Sequence, residues 1–230
     1  MKPETYAIGE TAAGRHRSAR LVFARGGGRS ALVAQTTPYP FHVTKPFALD
    51  RERPELATLY LQSASGGVYR ADRLDLSLTV KAGASAHVTS QAATVVHDTG
   101  ALPARQTTRV EVGAGAFAAL TLDPLVMFPG AELSTTTEVR LAEGALAIIA
   151  DGVAWHDFAG EDRPFASLSA ETVVRGPNGR TLVRDRAAVR GSELMGRAVA
   201  ARPGSRRLWL RDAARPEGEA SRPRRHRCRA

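Results

Sequence analysis

The sequence predicts an all-β fold: an elongated body of stacked-hairpin units, β-helix-like or two-layered. Its first support is a template that occurs three times. Leu78 and Val80 precede Gly83-Ala84, with Ala86 and Val88 after it; Val110 and Val112 precede Gly115-Ala116, with Ala118 and Leu120 after it; Val139 and Leu141 precede Gly144-Ala145, with Ala147 and Ile149 after it. Apolar side chains recur at every second position on both sides of a glycine, the period of a strand with one buried face. The second support is spacing. The glycines fall 32 and 29 residues apart, as expected of repeated supersecondary units that share one core. The third is the scarcity of helical periodicity along the chain.

The elements follow in order. Leu21–Phe23 and Ala31–Val33 alternate on either side of Gly26-Gly27-Gly28, which predicts two strands around a flexible turn. Leu74 and Leu76 extend the alternation of the first template upstream. At each template glycine a strand, a tight turn and a second strand are expected, the glycine supplying a positive φ or a close backbone approach. Thr172–Val174 and Leu182 flank Pro177-Asn178-Gly179, a further hairpin signal. Beyond Ala201 the chain becomes rich in Arg, Pro and Gly, with Leu208, Trp209 and Leu210 its bulky apolar residues. Such a segment buries too little to offset its ordering entropy, so a body of residues 1–201 and a disordered basic tail of 202–230 are expected.

Composition narrows the function classes. The net charge of +9 would suit a nucleic-acid binder, but ten of the 32 basic and three of the 23 acidic residues lie between Arg202 and Ala230. That leaves 22 basic against 20 acidic in residues 1–201, a nearly neutral body. The tail lacks the interleaved aromatics of single-strand binders, and no nucleic-acid partner is expected. No apolar run approaches the roughly 20 residues of a membrane span, and Met1 to Arg20 carries no signal-peptide pattern, so a cytoplasmic location is expected. The lone Cys228 allows no intrachain disulfide and no paired-cysteine metal knuckle; in the tail it reads as a bystander.

No sequence motif of a catalytic class is present. Gly66-Gly67 is followed by neither GK[ST] nor a GxGxxG pattern, so it reads as a turn and not a phosphate loop. There is no GxSxG. The pairs His97-Asp98 and His156-Asp157 resemble those of metal-dependent phosphohydrolases, but they lie among strands and loops, and the histidines have no ligand spacing. No metal site is assigned from them.

Several short stretches occur together in one order. They are Pro40-Phe41-His42-Val43-Thr44-Lys45-Pro46-Phe47, Gly66-Gly67-Val68-Tyr69-Arg70-Ala71-Asp72, Thr89-Ser90-Gln91-Ala92-Ala93-Thr94, Leu122-Asp123-Pro124, and Phe128-Pro129-Gly130-Ala131. In that order and spacing, over roughly residues 20–201, the chain resembles the urease accessory protein UreD (UreH) family. The matches are to the family's GGxxxGD, TTQAAT, LPxP and FPGA elements; Ala71 stands where the family has glycine, and its GRxxxGE motif is degraded around Trp155–Glu161. The family continues past the position of Ala201 with a helix-containing part, where this sequence has the Arg-rich tail.

The resemblance implies a non-catalytic scaffold that assists nickel incorporation into apo-urease, in complex with UreF-like and UreG-like proteins, with nickel transient and no permanent cofactor. It further implies that Asp72, Asp151 and Asp185 line an internal polar passage for nickel, and that Gly66, Gly67, Gln91, Pro124, Pro129 and Gly130 are structural. The alternative for each aspartate is a turn cap or a pair with Arg73, Arg184 or Arg186. The competing functional class is an enzyme or carbohydrate binder on a β-helix or β-sandwich, against which the aromatic content of 6% counts.

Overall fold

The structure, a computed structural model, describes residues 14–194 and the backbone of residues 207–214. In chain order its strands are β1 (His16–Gly26), β2 (Arg29–Thr36), β3 (Phe41–Val43), β4 (Ala57–Ser63), β5 (Arg73–Val80), β6 (Ser85–Ser90), β7 (Thr94–Val96), β8 (Ala104–Val112), β9 (Phe117–Thr121) and β10 (Leu125–Met127). Then come β11 (Glu132–Leu141), β12 (Leu146–Trp155), β13 (Ser167–Arg175), β14 (Thr181–Arg190), a single helical turn α1 (Gly191–Leu194) and β15 (Arg207–Ala214). The all-β expectation holds, in the form of a two-sheet solenoid.

One sheet runs β14-β13-β11-β8-β5-β1-β2; the other runs β3-β4-β6-β9-β12-β10-β7, with β15 on β12. The chain crosses from sheet to sheet at each template glycine. The arms of a template therefore do not pair with each other, as the arms of a hairpin would. β5 pairs in parallel with β1 and β8, while β6 pairs in parallel with β4 and β9. Each glycine sits in a turn that arches between sheets, with Ala84 N–H bonded to Lys81 O at 3.0 Å, Ala116 N–H to Gly113 O at 3.0 Å and Ala145 N–H to Ala142 O at 3.2 Å. At Gly83, Gly115 and Gly144 φ is 66°, 61° and 64°, a region that a side chain makes costly. Successive arches also bond to each other, Gly83 N–H to Ala114 O and Gly115 N–H to Glu143 O, both at 2.9 Å. True hairpins close the ends of the first sheet: β1–β2 around Gly27-Gly28 and β13–β14 around Asn178-Gly179 are antiparallel.

Between the sheets lie two apolar clusters. One, near the arches, contains Leu21, Phe23, Leu59, Leu78, Val88, Val110, Val139 and Ile149; the other, at the far end, contains Val68, Val96, Met127, Leu133 and Phe165. Within the tail, residues 207–214 form β15, antiparallel to β12 in an unbroken register from Ala147↔Ala214 to Ala154↔Arg207. These eight residues lie within the stretch 202–230 that composition marks as a disordered tail. Residues 202–206 and 215–230, including Cys228, lie outside the described residues.

Candidate functional site

The inward faces of the first sheet explain why there are two clusters and not one. On β5 the inward positions are Leu74, Leu76, Leu78 and Val80, all buried. On the next three strands the middle of this series turns polar. β8 presents Ala104, Gln106, Thr108 and Val110; β11 presents Leu133, Thr135, Thr137 and Val139; β13 presents Leu168, Ala170, Thr172 and Val174. The register, parallel from β8 through β13 and antiparallel onto β14, brings these into rows, Gln106↔Thr135↔Ala170↔Ala187 and Thr108↔Thr137↔Thr172↔Asp185. Thr137 and Thr172 are each 7% exposed, so this is an interior polar layer and not a rim.

Opposite this layer the second sheet is interrupted at the same level in successive coils. β6 and β7 are separated by Gln91-Ala92-Ala93, β9 and β10 by Leu122-Asp123-Pro124. The pairing of β12 with β9 ends at Ala150 and resumes with β10 at Val153, leaving Asp151-Gly152 in the gap. Buried Pro124 has no N–H to give to a ladder, which fits a break at that position.

The polar layer and the column of breaks border a cavity of about 150 Å³ that reaches the surface at exposed Ser63 and Asp123. Its polar lining includes Ser90, Gln106, Thr108, Thr135 and Thr137 with the carboxylates Asp123 and Asp151; Leu61, Val68, Leu125, Val153 and Leu168 supply apolar wall. It has room for on the order of ten waters. Asp123 is braced by Ser90, whose hydroxyl donates to Oδ2 at 2.9 Å and accepts from Asp123 N–H at 2.6 Å.

The three carboxylates implied by the sequence occupy different surroundings. Asp151 lines the cavity. Asp185 stands in the inward row beside Thr172, next to cavity-lining Ala187 on the same strand face. Asp72 is elsewhere, 1% exposed under the first coil. Its Oδ1 accepts from Arg15 N–H at 3.1 Å and Arg15 Nε at 2.9 Å; its Oδ2 accepts from Tyr69 N–H at 2.8 Å and from Arg15 Nη2. The hydrogen bond to Asp72 raises the pKa of the Arg15 guanidinium above its ordinary value, the outcome expected when a cation is held by a buried anion.

The residues implied as structural have geometric reasons. Gly67 has a φ of 144°, and a Cβ there would lie 2.3 Å from Val95 O; at Gly130, with a φ of 75°, it would lie 2.6 Å from Asp98 Oδ1. Gly66 shares the same positive-φ turn at 73°. Pro129 precedes Gly130 in the turn closed by Ala131 N–H to Phe128 O at 3.0 Å. Gln91 is exposed in the break after β6, its side chain accepting a hydrogen bond from Gln62.

The two His-Asp pairs fall on equivalent corners of the solenoid. Tyr69, His97, Phe128 and His156 each follow a stacked position, Val68, Val96, Met127 and Trp155. They form an outer ladder: Tyr69 stacks on His97 at 4.4 Å, and Phe128 lies 5.5 Å from His97 and 6.2 Å from His156. Asp157 accepts from the N–H groups of Ala159, Glu161 and Arg163 and pairs with the Arg163 guanidinium at 2.9 Å; Arg163 holds its carboxyl far below the usual carboxylate range. Among the described residues no three His, Cys, Asp or Glu side chains gather as a metal site. Sequence reasoning missed Arg15, Asp123, Gln62 and the threonine rows. The rows were visible as polar residues at inward period-2 positions; the Arg15–Asp72 contact spans 57 residues and left no local signal.

These features define a class: a β-solenoid scaffold built around an internal polar cavity. Comparison with known proteins supplies the family. The family model of the UreD urease accessory protein matches residues 15–209, and the chain belongs to that family. Similar relatives are urease accessory proteins UreD 1 of Methylorubrum populi, 51% identical over 183 residues, and of Methylorubrum extorquens, 53% identical over 178 residues. These matches cover 80% and 77% of this chain but 62% and 60% of the relatives. The UreD 1 of a Bradyrhizobium strain is 48% identical over 80% of this chain and 65% of its own length. The chain thus spans less than two thirds of the length of these curated relatives. No helix among the described residues is long and apolar enough to cross a membrane.

Proposed function

We propose that this chain is a cytoplasmic maturation scaffold that assists nickel incorporation into apo-urease without breaking bonds itself, in complex with UreF-like and UreG-like proteins, the latter a GTPase. The cavity serves as the passage for the nickel ion. The observation that carries this reading is the polar layer between two apolar clusters: a packed β core has no packing reason to place Gln106, Thr108, Thr135 and Thr137 there with the Asp151 carboxylate on the facing wall. A route for a divalent cation must attract it yet release it. Neutral hydroxyl and amide oxygens with a few carboxylates meet that need, and they lack the convergent His and Cys donors that would trap a borderline metal. In this reading exposed Asp123 draws the ion to the surface end of the cavity, Asp151 supplies attraction further in, Asp185 extends the polar row towards β14, and Asp72 holds Arg15 and the first coil in place.

The test is urease reconstitution with purified components at limiting nickel. Asp151→Asn should fold normally and retain the UreF-like partner in a pull-down, yet support several-fold less activation. Full activation by Asp151→Asn combined with Asp123→Asn would overturn the passage reading.

A further inference from the structure

A hydrogen-bonded sheet is a barrier. Its ladder leaves no room for a solvated ion between strands about 4.8 Å apart. A solute can enter between the sheets only round an edge or where the ladder is broken, and the column of breaks in the second sheet is such a place. At its first step β4 pairs with β6 up to Leu61↔Ser90, and contact between these coils resumes at the bridge of Val68 with Val96. Gln62 and Gln91 are the next residues after the last paired rung, and their side chains bond to each other across the gap.

Gln62 lines the internal cavity and also an outer depression whose floor includes Gln91, Ala92, Ala93 and Gly67. Leu61, Ser63 and Thr94 likewise belong to both. The cavity and the depression are thus neighbouring spaces, with the amide pair at the boundary. Gln91 is exposed and Gln62 half-buried, so the pair faces solvent on one side and the polar interior on the other.

We propose that Gln62 and Gln91 form a gate: their side-chain hydrogen bond closes the first step in the column of breaks, and rotation of either side chain opens the cavity there to a small hydrated cation. The proposal rests on the passage reading above and adds to it an entrance and two residues that control it. Amides suit the role because they are neutral, offer an oxygen to a passing cation when open, and pair with each other when closed. One net hydrogen bond holds the gate shut, a barrier that thermal motion of side chains crosses readily.

Cysteine accessibility tests the gate apart from urease activation. In a Cys228→Ser background, Thr135→Cys places a reporter in the cavity wall and Ala118→Cys, a fully buried position in the arch-side cluster, reports general loosening. The probe is a small cationic methanethiosulfonate, with modification followed by mass spectrometry under native conditions. Gln91→Ala and Gln62→Ala should each speed modification of the Thr135→Cys reporter by about tenfold, the scale of one side-chain hydrogen bond. The double variant should add little, because either change alone removes the bond. The Ala118→Cys reporter should stay unreactive throughout. Equal rates with the pair intact and removed would overturn the gate, as would parallel acceleration at both reporters. Nickel-limited reconstitution with Gln91→Ala separates this from the passage reading. Faster labelling with unchanged nickel dependence keeps the gate and removes the passage; unchanged labelling removes the gate whatever the activation.

Discussion

Removing the charge of Asp72 should destabilise the fold. The carboxylate is 1% exposed and takes four donors, three from Arg15 and one from Tyr69 N–H. Each oxygen accepts two of them. Asp72→Asn keeps the shape but has one oxygen; its NH₂ would face two donors and receive neither. Breaking one side of a buried ion pair costs about 3–5 kcal/mol. The Arg15 side chain is 20% exposed, so water screens part of the loss and the lower end, about 3 kcal/mol, is expected. For a chain of this length each kcal/mol shifts the melting temperature by about 2–4 °C, so the Asn variant should melt about 6–12 °C lower. Thermal circular dichroism reads this directly. Arg15→Met, which keeps a long side chain while removing the cation, should lose a similar amount, and the double variant should lose clearly less than the sum. Asp72→Asn melting within about 2 °C of the parent, less than one kcal/mol of change, would refute the clamp.

Leu78 is fully buried in the arch-side cluster while Ser77 faces outward beside Arg109, so Leu78→Ala should cost about 2–5 kcal/mol in a urea titration and Ser77→Ala about 0.5 kcal/mol or less. His87, bonded to Thr121 Oγ1 at 2.7 Å, has its pKa pushed down by burial, so the fold favours its neutral form. The stability this provides is complete above the unfolded-state pKa of about 6.5 and is lost as pH falls from there through the lower folded value. Melting curves at pH 7.5 and 5.5 should show a smaller drop for His87→Gln than for the parent; an equal drop would place the sensitivity elsewhere.

What the sequence made legible was the side of each strand that faces inward. Leu74, Leu76, Leu78 and Val80 alternate as written, and the glycines mark the bends. Alternation reports the buried face but not the pairing partner. Val80 and Ala84 therefore read equally well as arms of a hairpin and as arms of an arch that joins two sheets. Short-range turn chemistry did identify the real hairpin at Asn178-Gly179, because there the partner strand is the next one. The site was legible in part. Asp151 could be nominated from family resemblance, whereas Gln106, Thr108, Thr135 and Thr137 share the inward phase of Val110 and Val139, but only the strand register shows that they gather into rows. Asp72 could be singled out, but its partner lies 57 residues away at the edge of the first coil.

The parallel register turns the solenoid into a ruler. Cavity-lining residues come from β4, β6, β8, β11, β12, β13 and β14, so the cavity runs along the stacking axis and crosses one coil after another. Its reach is counted in strand spacings of about 4.8 Å, and it changes by whole steps when a coil is gained or lost. Edits to surface loops leave that reach untouched, and swaps among threonine, serine and alanine in the rows alter its bore and polarity but not its span. The distance a cargo can be carried inside the body is therefore written in the number of coils, and the two hairpins that close the first sheet fix where the count stops.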